Sequence, residues 1–322
     1  MDLDLLYAKL LLPLLRLAGV ICVGLLLASL LESLHWTRFV AKLAVPLAKA
    51  GHLRETAAAS FALAFFSPAA SNSLLAEAHD RGELTRGELL LANLFNSSPT
   101  FLVHLPTLFV LVFAFLGPLA FIYVGLCFVA AALRTLCTIA AGRLMLPSPK
   151  AEGAVPSNMQ DEMQEQPRNW REIVAITLDC FKKRIGKLLM FTVPIYVLFF
   201  VMQQIGLFSV AERWMAEHAG WFGFLNPKSL SIVALSLLAE SGAALSAAAA
   251  LADAEALAPQ EIVLALLVGN IISTPMRAVR HQFPSYAGYF APALALHLVL
   301  ANQVCRAASL VVVTVAYYWY VF

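Results

Sequence analysis

The sequence predicts an all-α, polytopic integral membrane protein made of two inverted repeats, each with a re-entrant hairpin and a broken helix. Three observations point there. Hydrophobic residues fill 61% of the 322 positions and charged residues 13%, with a mean hydropathy of +0.78, whereas soluble domains hold about 45–50% apolar residues. Several apolar runs reach the ~20 residues that a helix needs to cross a ~30 Å hydrocarbon core. The same order of pieces recurs on both sides of one long polar stretch.

The elements follow in chain order. The run from Leu10 to Leu31 is long enough to span, and Asp2 and Asp4 stand where a cleavable signal would carry basic residues, so this segment is expected to stay in the mature protein. Stretches 54 to 79 and 229 to 257 hold polar or small residues in mid-run: Ser67-Pro68-Ala-Ala-Ser71-Asn72-Ser73 in the first, Glu240-Ser241-Gly242 in the second. At ~1.5 Å per residue the arms on either side cover about half the bilayer, which favours re-entrant hairpins over single crossings. Helix starts follow each hairpin. Thr85-x-x-Glu88 has the pattern of a capping box, and Pro259 with Glu261 places a proline and an acid in a first turn.

Stretches 87 to 116 and 260 to 288 are long enough to span but are interrupted by Asn96-Ser97-Ser98-Pro99 and by Asn270-Ile-Ile-Ser273-Thr274-Pro275. Proline removes a donor and frees a carbonyl one turn earlier, and in lipid such a break persists only where protein, hydroxyls or water satisfy it. Spans at roughly 118 to 142, 188 to 208 and 290 to 318 complete the set. Between them, residues 147–172 hold Pro147, Pro149, Pro156 and Pro167 around a Met/Gln/Glu-rich middle and read as a flexible linker. The domain plan is therefore a first repeat over 1–146, this linker, and a second repeat over 173–322. An amphipathic surface helix around Trp170 to Lys187, with Lys182-Lys183-Arg184, precedes the membrane part of the second repeat.

Aligning Leu84-Thr-Arg-Gly-Glu88-Leu89 with Leu257-Ala-Pro-Gln-Glu261-Ile262 sets Ser67 opposite Glu240 and Ser73 opposite Ser246, and a small insertion brings Asn96 opposite Asn270. With re-entrant hairpins each half crosses three times, so the second half starts on the other face. Charge agrees. One face then receives 35 to 54, 80 to 87 and 143 to 187, with 14 of the 22 Lys and Arg, and the other only Lys9, Arg213 and Lys228. By the positive-inside bias the linker is cytoplasmic and both termini lie outside. The expected location is a bacterial or archaeal cell (inner) membrane.

These segments, "SPAASNSLLAEAHDRGELTRGELLLANLFNSSP" and "AESGAALSAAAALADAEALAPQEIVLALLVGNIISTP", resemble the Gate, or nucleoside-recognition, domain family of membrane proteins. The resemblance covers about 55 to 145 and about 230 to 318. It implies two gate-like repeats, similar in plan to concentrative nucleoside transporters, the membrane part of bacterial ferrous iron permeases and the spore maturation proteins. It does not establish that nucleosides bind. The sequence departs from the iron permeases, with no Gly-Cys-x-x-Pro-like membrane cysteine and no Gly-x-x-x-x-Gly-Lys-Ser/Thr motif.

Ionisable and polar groups at bilayer depth are costly, so they mark the candidate substrate-binding residues. Glu240, beside Ser241 and Gly242, is suited to a cation, a proton or a polar substrate, with structural pairing to Arg277 or Arg280 as the alternative. Arg277, Arg280 and His281 share a helix face after Pro275 and suit an anion or a carboxylate-bearing solute, or else are snorkelling residues at a helix end. Asn270, Ser273 and Thr274 line the second break. The first half offers Ser67, Asn72, Asn96, Ser97 and Ser98, since hydroxyls and amides at unwound backbone can replace a solute's hydration shell. His104, in the same first-half set, reads as a packing residue with a ligand role as the alternative, and Arg134, His297 and Arg306 as structural pairs or interface residues.

The expected function is a secondary transporter or permease for a small polar solute, nucleoside-like or ionic, with a coupling cation or proton as a further partner. The alternative is a non-transporting membrane scaffold or regulatory subunit with the same fold. An enzyme is not expected, since His-Glu-x-x-His, Gly-x-Ser-x-Gly and paired catalytic aspartates are absent. No cofactor is expected. The lipid bilayer is the main partner, a homo-oligomer and a metal are left open, and nucleic acid is excluded because the basic residues are spread thinly. The five cysteines form no Cys-x-x-Cys pair and read as small hydrophobes.

Overall fold

The computed structural model describes residues 44–146, 170–205, 223–238 and 241–322, together with scattered positions between 7 and 30. Most of the run at 10 to 32, the linker up to 169 and Glu240 lie outside the described residues. Within them the chain is all-helical, without a strand. A short helix α1 (Ala44–Ala50) leads into the pair α2 (Glu55–Leu63) and α3 (Pro68–Asp80), then α4 (Arg86–Leu116) and α5 (Leu119–Met145). The second half brings α6 (Trp170–Gln204), the pair α7 (Leu230–Leu238) and α8 (Ser241–Asp253), and α9 (Pro259–Ile272). Two short helices, α10 (Thr274–Arg277) and α11 (Phe283–Ala287), flank a π-turn over Ala278–Gln282, and α12 (Pro292–Val321) closes the chain. Helices α4, α5 and α12 are long and apolar enough to cross a membrane.

Local chemistry sets the helix ends. Thr85 caps α4: its Oγ1 accepts from Glu88 N at 3.3 Å, and Glu88 Oε2 accepts from Thr85 N at 2.8 Å. At α9 half of that box survives, with Glu261 Oε2 accepting from Ala258 N at 2.7 Å. Ala258 has no side-chain acceptor to return the bond. The turns before these helices also match: Gly82 and Glu255, at the same place in the alignment, both have positive φ, 75° and 52°. At the same turns Glu83 N donates to Ala78 O and Ala256 N to Leu251 O, the closing bonds of a Schellman turn. The helix pairs match in size as well. Their first arms have 9 residues each and their second arms 13.

Two expectations are corrected. The first broken helix is not broken: α4 runs through Asn96–Pro99 as one helix of 31 residues, with Pro99 and Pro106 inside it. Hydroxyls on either side of the proline bond back onto the helix backbone, Ser97 Oγ donating to Leu94 O at 2.6 Å and Thr100 Oγ1 to Asn96 O at 2.9 Å. The second correction concerns α6. The expected surface helix and the crossing after it are one continuous helix of 35 residues, because nothing between Lys182 and Leu189 stops a helix except Gly186, a cost of only about 1 kcal/mol.

The second expected break is present. Helix α9 stops at Ile272, and Asn270 O accepts from both Ser273 Oγ and Thr274 Oγ1 at 3.1 Å. A π-turn over Ala278–Gln282 follows before α11.

Packing brings the halves together. Helix α5 packs along α4 and against α12 and α9, while α8 lies against α6, α7 and α4. One buried cluster joins the end of α4, α5, α8 and α9, and a second joins α2, α3 and the start of α4 around Phe61, Phe65 and Phe95. Gly142 of α5 sits against the Gly51 carbonyl, where a Cβ would stand 2.3 Å from the oxygen.

Candidate functional site

Asn270 organises the site. Its Oδ1 accepts from Arg277 and from Arg306, both at 3.1 Å, and its Nδ2 points to Tyr123 Oη and Cys127 Sγ on α5. Arg277 also donates to Ser273 Oγ at 2.6 Å. Four segments therefore meet at one side chain: α9, α10, α12 and the first half's α5. The break after Ile272 lies within this group, with Arg277 at the end of α10 bonding back to Asn270 and Ser273 at the end of α9.

Two cavities flank this node and share Phe101, Cys127, Asn270, Arg277, His281 and Arg306 in their walls. The first, about 510 Å³, opens between the α2–α3 pair, α4, α5, α11 and α12, and takes Ser71, Asn72, Asn96, Ser97, Arg134, Tyr286 and Asn302 into its wall. The second, about 470 Å³, opens against the α7–α8 pair and takes Ser236, Leu237, Gly242, Ala244 and Leu245. The helix pairs contribute equivalent positions: Ala64, Ser71 and Asn72 stand in the first wall where Leu237, Ala244 and Leu245 stand in the second. Ser71 and Asn72 are polar where Ala244 and Leu245 are apolar.

Asn96 occupies the place of Asn270 but turns to its own half. Its Nδ2 donates to Ser60 Oγ at 3.0 Å and Ser71 Oγ at 2.8 Å, while its Oδ1 is buried without a partner. Arg134 on α5 is 8% exposed, and its Nε also lacks a partner. Among the described residues the ion pairs are Arg54–Glu88, Arg81–Glu77 and Arg81–Glu83, so no described carboxylate pairs with Arg134, Arg277 or Arg306.

The expected site residues separate accordingly. Asn72, Asn96, Ser97, Asn270, Arg277 and His281 come together on the first cavity, and Ser273 lines the second. Three others serve the scaffold instead. Ser67 caps α3 by accepting from Ala70 N at 3.1 Å, Ser98 bonds Thr135 and holds α4 to α5, and Thr274 caps the broken end of α9. Glu240 lies outside the described residues, as do the side chains of Ser241 and Arg280. The packing role expected of His104 gives way to a place on the first cavity, and His297, exposed on α12, bonds the Ala293 carbonyl instead of a partner residue.

Sequence reasoning undervalued Arg134 and Arg306, reading them as structural pairs. The missing signal was available: each lies midway along the last long helix of its half, roughly 21–23 Å from the helix start at ~1.5 Å per residue, with no Asp or Glu in the same helix to pair with. Tyr123, Tyr286 and Asn302 were not foreseen either. Their roles depend on contacts between distant segments, such as Asn93 Nδ2 donating to Tyr286 Oη at 3.0 Å.

No family model matches the chain, and no solved structure matches it. The chain is similar to an uncharacterized protein of Methanocaldococcus jannaschii, 25% identical over 240 residues that cover 74% of this chain and 72% of that one.

Proposed function

We propose that the chain is a secondary transporter or permease for a small polar solute, which it holds near mid-membrane between two inverted, gate-like repeats. The observation that carries this reading is the 510 Å³ cavity whose polar wall is assembled from both halves. Its volume falls within the ~300–1,000 Å³ of small-molecule sites. Asn96 lies roughly 15 Å and Asn270 roughly 17 Å beyond the start of its helix, at ~1.5 Å per residue about half a bilayer. The matched arm lengths and turns of the two helix pairs support a repeat, and arms of 9 and 13 residues, too short to cross alone, support re-entry. The break at Ile272 supplies the discontinuous helix that such sites employ.

In this reading the linker is cytoplasmic and the protein sits in a cell membrane. Movement of one repeat against the other exposes the cavity to alternate sides, and the gradient of a cation or proton drives it, as the sequence holds no Gly-x-x-x-x-Gly-Lys-Ser/Thr motif. Uptake of a panel of labelled solutes into proteoliposomes tests the function, with saturable uptake of at least one as the expected result. A sealed, solute-blind protein that co-purifies with a partner would replace this reading with a scaffold. Cysteines placed in the linker and at both termini should react from opposite sides of the membrane; labelling all from one side would remove the inverted repeat.

A further inference from the structure

The first cavity carries more chemistry than a neutral polar solute requires. Arg134, Arg277 and Arg306 all stand in its wall, and no described carboxylate bonds to any of them. A guanidinium away from bulk water is costly unless paired with a negative group, and each offers five N–H donors. The hydrogen bonds to Asn270 Oδ1 and Ser273 Oγ occupy only part of that capacity.

The repeat sharpens the point. In the second half the asparagine and the arginine of the last helix are bonded to each other, Arg306 to Asn270. In the first half Arg134 Nε and Asn96 Oδ1 are both buried, both unpartnered and both on this cavity. A donor and an acceptor left unmet on one polar cavity describe the complement of a ligand.

We infer that the solute of this cavity is a small organic anion whose oxyanion group, a carboxylate or a phosphate, is held by Arg134 and Arg306, with a hydroxyl or amine of the same molecule facing Asn96. This rests on the solute-binding reading above. Arg134 and Arg306 approach from the last long helices of the two halves, so an oxyanion between them ties one repeat to the other. Guanidinium binds carboxylate and phosphate through paired N–H donors, whereas a neutral nucleoside brings no negative group to three arginines that no described carboxylate meets.

The full-length protein in phosphatidylcholine nanodiscs tests this, with malate, glycerol 3-phosphate, uridine 5′-monophosphate and neutral uridine as probes in thermal-shift and calorimetric titrations. At least one of the three anions should bind saturably and raise the melting temperature, and uridine should not compete. Arg134→Gln and Arg306→Gln should each weaken that anion at least tenfold, and Arg134→Lys should weaken it less. Without ligand, Arg134→Gln should melt no lower than the native protein, because it removes an unpaired buried charge and no described bond. That result combined with lost binding separates ligand recognition from a structural role.

Phosphatidylglycerol added to the nanodiscs distinguishes the sources of the group. If it displaces the anion, the same chemistry belongs to a lipid headgroup; if not, to a free solute. Anion binding unchanged in both Gln variants overturns the inference. So does saturable uridine binding that ignores the arginines, although the solute-binding reading then survives. A folded protein that binds none of the four probes and takes up no solute in proteoliposomes overturns both.

Discussion

The two halves carry the same asparagine, beyond a helix start stabilised by a glutamate, and surround it differently. Asn270 is saturated, with two arginines on its oxygen and α5 of the other half beside its amide, whereas Asn96 holds Ser60 and Ser71 of its own helix pair and leaves its oxygen unmet. The second half is thereby closed into a network that fixes the broken helix, and the first keeps an intact helix with free hydrogen-bonding capacity on the cavity. A saturated network rigidifies, and an unsatisfied one is where a ligand can still add bonds. The difference makes Asn270 a junction of several segments and leaves Asn96 with an acceptor still free on the cavity.

The largest expected effect comes from exchanging these asparagines. Asn270→Leu strips the acceptor shared by Arg277 and Arg306, and should cost about 3 kcal/mol, at the upper range for hydrogen bonds to charged groups. Asn96→Leu loses only neutral bonds to two serines and should cost about 1 kcal/mol. Thermal melts of the two variants in one detergent decide it; a more damaged Asn96 variant would reverse the comparison.

Close packing gives a second contrast. An alanine at Gly142 places Cβ 2.3 Å from the Gly51 carbonyl oxygen, a backbone atom that cannot swing aside, so Gly142→Ala should cost about 2–3 kcal/mol. At Gly269 the obstacle is the Ser236 side chain, with Oγ at 2.4 Å and Cβ at 2.8 Å. Part of it can rotate away, and Gly269→Ala should cost about 1–2 kcal/mol. Equal melting temperatures for the two would mean that the first half yields as easily as the second.

The turns before α4 and α9 test the repeat with opposite signs. Gly82 at φ 75° suits its left-handed backbone, so Gly82→Ala should destabilise by about 1 kcal/mol, while Glu255→Gly at φ 52° should relieve strain of similar size. Destabilisation by both would show that Glu255 has a role beyond its backbone. The smallest effect is expected at the glutamates that follow. Glu88→Gln should lose about 0.5–1 kcal/mol and Glu261→Gln slightly less, because the buried Glu88 also pairs with the exposed Arg54 at 2.6 Å, whereas Glu261 accepts from the neutral Asn226. Guanidinium-free melts at rising salt should shrink the Glu88 effect and leave the Glu261 effect in place.

Much of this was legible in the chain because it is local. Thr85-x-x-Glu88 and Pro259 with Glu261 start the helices where their spacing indicates, since a cap depends on residues three apart. Apolar runs of helix length mark α4, α5 and α12 for the same reason. Proline motifs are less decisive. Asn-Ser-Ser-Pro and Asn-Ile-Ile-Ser-Thr-Pro read alike, yet α4 continues through the first and α9 ends before the second. In α4 the hydroxyls of Ser97 and Thr100 bond back within the helix, while beyond α9 Ser273 also receives Arg277, a contact that anchors the displaced segment.

The sequence by itself determined the solvent of this protein, its helical class, its helix starts and the list of polar groups too costly to face lipid, because each of these follows from composition or from residues within a turn of one another. Only the tertiary structure decided which of those groups meet. Arg134 and Arg306 lie on helices from different halves, and whether either finds a partner depends on how α5, α9 and α12 pack. Burial and pairing of a charge are set by atoms on other helices, from tens to nearly two hundred positions away in the chain, so their chemistry became readable only where the helices brought them to one cavity.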